Sequence, residues 1–229
     1  MATLTTRVLQ YRGDDGKERD VTLTVFVPFA DEHGGWKCGF QFSPPTHRRV
    51  VYVGGIDFIQ ALVGCLKVAR GYVEHPEEER SHWQGMSHSG LPTPQARPGE
   101  YRAPEVPAPE SNPGDLEVLT TRALGHSDTS GVETELVFTV FKPFQADDGS
   151  WKCGFAFGPS EGASVRYGVG ADFIEAFLDA LALARVAFDD MAPTGPASGL
   201  ALDCSDFPYK VGRAFATDPV VDPDAVAPP

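Results

Sequence analysis

Trp36-Lys37-Cys38-Gly39-Phe40-Gln41-Phe42 is followed by Gly55-Ile56-Asp57-Phe58-Ile59, and 115 positions later both recur. The second copies read Trp151-Lys152-Cys153-Gly154-Phe155-Ala156-Phe157 and Gly170-Ala171-Asp172-Phe173-Ile174. Trp36, Cys38, Phe40 and Phe42 alternate with Lys37, Gly39 and Gln41, the period of a strand with one buried face. From Phe58 the period lengthens: Phe58, Leu62, Cys65 or Leu66, Ala69, and Tyr72 or Val73 make one helical stripe. Asp57 and Asp172 stand where a helix N-cap belongs, able to accept free backbone N–H groups and to favour the helix dipole. The register holds without a gap from Leu4-Thr5-Thr6-Arg7 against Leu119-Thr120-Thr121-Arg122 to Ala69-Arg70 against Ala184-Arg185. Thirty of the 72 residue pairs counted from Leu4 to His75 are identical. This is a tandem duplication.

Working outward, Leu4 to Tyr11 and Val21 to Phe29 read as two further strands around the turn at Gly13-Asp14-Asp15-Gly16. Val21, Leu23, Val25 and Val27 alternate, and Pro28 ends the ladder because it has no donor to offer. Arg49 to Val53 makes a fourth strand. Each unit is therefore ββββα. The expected fold class is α+β: two tandem repeats, each an antiparallel sheet covered by one helix, packed as a pseudo-twofold pair. Residues 1–82 are assigned to the first repeat, 83–115 to a proline-rich linker, and 116–190 to the second repeat. Residues 191–229 form a proline-rich tail, packed in part at 200–215. The stretch from Trp83 to Asp115 holds seven prolines and reads as an extended connection. The helix from Phe173 to Phe188 carries only Glu175, Asp179 and Arg185 as charges. A helix apolar on nearly every side must be buried on nearly every side, so something besides its own sheet has to cover it.

The chain has 229 residues, 41% hydrophobic and 22% charged, an ordinary composition for a globular protein. A unit of about 75 residues is marginal alone, burying only roughly 60% of its unfolded surface, which is a second reason to expect the units to pack together. No apolar run approaches the ~20 residues of a membrane span, and no basic segment precedes an apolar one at the N-terminus. A cytoplasmic protein without membrane contact is expected. Cys38, Cys65, Cys153 and Cys204 show no CxxC spacing and read as reduced thiols, Cys38 and Cys153 on the apolar strand face. The net charge is −13, unevenly spread: +1 from Leu4 to His75 but −7 from Leu116 to Asp190. That balance disfavours nucleic acid as a partner, and no aromatic-basic stripe offsets it.

Three patterns resemble chemistry and fall short of it. Gly158-Pro159-Ser160-Glu161-Gly162 has the GxSxG spacing of a nucleophile elbow, but a strand follows it and the last histidine is His126. Gly168-Val169-Gly170 precedes a helix as a phosphate-binding turn would, yet lacks the third glycine and puts Asp172 where an anion would sit. His75, Glu79 and His82 would share a face with Glu78 if the first helix ran on, a weak metal site that Pro76 argues against. Arg7 and Arg122 repeat without a partner that the sequence can name. No cofactor is implied and no catalytic set assembles.

The W-x-C strand followed by a G-x-D-F-I helix start resembles a loosely defined family of small, uncharacterised bacterial domains, here in tandem. The resemblance implies an α+β fold and a role as an immunity or accessory protein beside toxins and secretion systems. Together with the acidic second repeat it leads to an expected function: a non-enzymatic module, most plausibly an intracellular immunity or inhibitor protein, binding a basic protein. The contacts expected are Asp147, Asp148, Glu161, Asp189 and Asp190. A structural or scaffolding homo-oligomer, including a homodimer, is the alternative from a different class. A metal protein or enzyme using His75, Glu79 and His82 is the third.

Overall fold

The computed structural model describes residues 1–13, 15–43, 49–74, 81–82, 89–92, 116–127, 133–158 and 164–191. Strands β1 (Thr3–Arg12), β2 (Glu18–Phe26), β3 (Phe29–Ala30), β4 (Trp36–Ser43) and β5 (Val51–Gly55) precede helix α1 (Phe58–Val73). The short β6 (Ser81–His82) closes the first set. The second set repeats the order: β7 (Val118–Ser127), β8 (Glu133–Phe141), β9 (Phe144–Gln145), β10 (Trp151–Phe157), β11 (Arg166–Gly170) and α2 (Phe173–Met191). Two similar α+β units result, each an antiparallel sheet followed by a helix.

In the first sheet β1 pairs with β2, β2 with β4, and β4 with β5. The second sheet runs β11-β10-β8-β7 in the same way. Leu9, Val21, Leu23, Val25, Cys38, Phe40 and Phe42 turn to one face and are buried there, as the period-two pattern requires. Val27 leaves the pattern. It is exposed, outside β2, and its N–H donates to the Ala2 carbonyl, because the chain bends before Pro28 and resumes as β3 beside Trp36 and Lys37.

Helix α1 lies over β4 and β5, and α2 over β10 and β11. Each helix starts on its aspartate: Asp57 Oδ1 accepts from Gln60 N at 2.8 Å and Asp172 Oδ1 from Glu175 N at 2.9 Å. Gln60 and Glu175 reach back to the N–H of Ile56 and of Ala171, so both starts are reciprocal caps. Most of the core described is one apolar cluster drawing on both sheets and both helices, and Phe141, Ala156, Val165 and Tyr167 form a smaller second cluster on the second sheet. No residue of α2 from Phe173 to Phe188 is exposed. Its buried residues pack on β10 and β11 and belong to a cluster with members in both units. Part of the stretch assigned to the linker also belongs to this packing: Ser89 and Leu91 are buried, since hydrogen bonds from both ends of the first unit hold their backbone.

Candidate interface site

Arg7 sits on the core-facing side of β1, between Thr5 and Leu9, where an arginine can be buried only if its guanidinium is satisfied. Its side chain is 0% exposed. Nε and Nη2 donate to Asp172 Oδ2 and Oδ1 at 2.5 and 2.6 Å, a bidentate pair with the cap residue of the other unit's helix. Nη1 donates to the Ser89 carbonyl at 3.1 Å. The Ser89 N–H in turn donates to the Glu74 carboxylate, which also takes Arg70 Nε, while Arg70 Nη1 donates to the Leu91 carbonyl at 3.2 Å. A single polar network thus ties the start of α2, β1, the end of α1 and the 89–92 segment together.

The other half of the seam mirrors it. Arg122, offset by 115 from Arg7, pairs with Asp57 at 3.2 Å, the side chains 17% and 26% exposed. Each cap aspartate therefore works twice: one function holds its own helix start, the other holds the arginine of the opposite unit. The repeat of Arg7 and Arg122 is explained by this crossing. A signal for it was present, because Arg7 and Asp57 are two of only five charged positions kept identical between copies whose net charges differ by eight. Ser89 and Glu74 carried no such signal, since their role depends on where the chain returns after α1.

Asp147 and Asp148 are exposed in the turn between β9 and β10. Asp148 Oδ1 accepts from Ser150 Oγ at 2.6 Å and from Ser150 N at 2.9 Å. The Ser150 hydroxyl, and then its backbone N–H, hold the Asp148 carboxyl below the usual carboxylate range. Gly149 adopts φ +83°, the left-handed turn position that favours glycine.

Asp189 and Asp190 lie at the other end of the unit, in the last turns of α2. Trp151 stacks edge-on to Phe173 at the helix start and Phe157 meets Phe188 near its end. With 1.5 Å per residue, about 24 Å of helix separates the two acidic groups. Glu161 lies outside the described residues. Among the other acidic groups of this unit, Asp179 Oδ2 accepts from Val169 N at 2.9 Å, and burial pushes its carboxyl up.

The metal reading loses its geometric premise. α1 ends at Val73, with Glu74 already extended at φ −106°, ψ 118°, and His82 belongs to a strand paired with Gln10 rather than to a continued helix. His75 and Glu79 lie outside the described residues. No group of three or more metal-ligating side chains occurs among the described residues. Cys38, Cys65 and Cys153 are buried free thiols. The adjacent Cys38 and burial push the Cys65 thiol up, and burial does the same to Cys153, so Cys65 and Cys153 are kept neutral. No described helix is long and apolar enough to cross a membrane.

Residues 5–94 match the family model of a Domain of unknown function, DUF6968. The match spans the first unit and runs on through the buried 89–92 segment. No curated protein and no solved structure matches the chain.

Proposed function

We propose that the protein is a non-enzymatic binding module whose acidic second unit meets a basic protein, in the manner of an immunity or inhibitor protein. The observation that carries this reading is the Asp147–Asp148 turn. Two carboxylates face solvent on a hairpin whose geometry is fixed by the Ser150 bonds and by Gly149. Fixed, solvent-facing charge of one sign speeds encounter with a partner of the other sign and steers its orientation. The reading takes this turn, ahead of Asp189 and Asp190, as the contact.

The test is a pull-down with the tagged chain from its native lysate, at low and high salt, beside Asp147→Asn/Asp148→Asn and Asp189→Asn/Asp190→Asn variants. A basic protein retained at low salt should be lost with the first variant and kept by the second. Equal retention by all three would remove the turn from the interface and the reading with it.

A further inference from the structure

The two crossed ion pairs are one contact made twice with the units exchanging roles. Arg7 of the first unit holds the α2 cap, and Arg122 of the second holds the α1 cap. Each unit thus carries both halves: a guanidinium on the core face of its first strand and a carboxylate at its helix start. A contact in which residue i meets j while j meets i is isologous, the form taken by surfaces that recognise their own copy. Nothing in it distinguishes a unit of the same chain from a unit of another. Buried residues of α2 also belong to an apolar cluster that has members in both units.

We propose that the seam is a self-complementary docking surface whose second partner is another copy of this chain. In this exchange the first unit of one chain takes the second unit of the other, and the reverse, so that each half of the dimer rebuilds both ion pairs and the shared core. Chain length permits it. Twenty-four residue steps separate Pro92 from Leu116, and a fully extended chain advances ~3.3–3.6 Å per residue, a reach of about 80 Å at most. In dilute solution the unit on the same chain wins, because a tether supplies an effective concentration on the order of millimolar. Exchange takes over when the internal pairing is weakened or the protein is concentrated. This inference rests on the seam alone and is independent of the acidic turn.

Complementary charge reversal tests it. Arg7→Asp sets two carboxylates against each other at the seam, and Asp172→Arg sets two guanidinium groups against each other. In an exchanged dimer of the two variants, Asp at 7 of one chain meets Arg at 172 of the other, and the native Arg7–Asp172 pair forms on the opposite side. The variants are refolded from denaturant separately and together, with the single-chain Arg7→Asp/Asp172→Arg variant as reference. The expected result is a one-to-one dimer of twice the monomer mass in the mixture, with a melting midpoint near the reference and above either variant alone. A well-folded reference with no dimer in the mixture would overturn the proposal. A second measurement decides even if the reversed pair fits poorly. Wild-type protein and an isotope-labelled preparation are unfolded and refolded together over a range of concentrations. Dimers of mixed mass are expected in native mass spectra at the upper end, and monomer alone at every concentration would rule the exchange out.

Discussion

Gly55 and Gly170 lie where the last strand of each sheet passes beneath the first turn of its helix. A Cβ there would stand 2.4 Å from Ala61 N and 2.3 Å from Ala176 N, contacts with backbone that no side-chain rotation relieves. Gly55→Ala or Gly170→Ala should each cost about 3 kcal/mol, read as a lowered urea midpoint, because the helix start must move off its strand. A cost below 1 kcal/mol would mean that the helix is not seated this closely. Asp179 makes a pH-dependent case. Its carboxyl is raised in the folded chain by burial, so it favours folding below its ordinary value of 3.8, and that contribution is lost as pH climbs through the folded value. Asp179→Asn keeps an oxygen for the Val169 N–H and removes the charge. The variant should melt above wild type at neutral pH, with the gap closing as the pH falls from the raised folded value to 3.8. A gap that stays constant with pH would contradict burial as the cause.

At the level of elements, the caps separate two energies that usually travel together. Asp57→Ala removes a cap, about 1 kcal/mol, and leaves Arg122 able to hydrate at its 17% exposure. Asp172→Ala removes an equivalent cap and also takes the carboxylate counter-charge from the fully buried Arg7 guanidinium, which adds about 3–5 kcal/mol. Urea titrations should therefore rank Asp172→Ala well below Asp57→Ala, and equal costs would show that the buried pair contributes nothing beyond the cap. The elements themselves were legible because local periodicity survives packing. Cys38, Phe40 and Phe42 alternate inward, and the change of period at Phe58 marks α1. A misreading fell at a chain break: Val27 continues the alternation, but Pro28 bends the backbone away. The break signalled by Pro76 was legible: the chain has left the helix at Glu74 and returns to β1 as a strand at His82.

Across the whole molecule, what escaped the sequence was position rather than character. The acidic bias of the second unit was plain, yet the placement of Asp147–Asp148 and Asp189–Asp190 at opposite ends of α2 depends on which end of β10 each helix end meets. Likewise the apolar surface of α2 announced a cover without naming it. Its buried residues belong to a cluster with members in both units, and two ion pairs join the units. That arrangement has a thermodynamic consequence. Two independent domains of about 75 residues would unfold separately, each with the shallow transition of a small domain. Here the units share an apolar cluster, and parting them would take the Asp172 carboxylate from the buried Arg7 guanidinium. The chain should unfold as one unit, with a single calorimetric transition whose van't Hoff enthalpy equals the calorimetric enthalpy. Arg7→Asp should split or broaden that transition, since it attacks the coupling while leaving the interior of each sheet intact. Two resolved transitions in the wild-type chain would mean that the seam is an adhesion between finished domains, and that each unit's core is complete without the other.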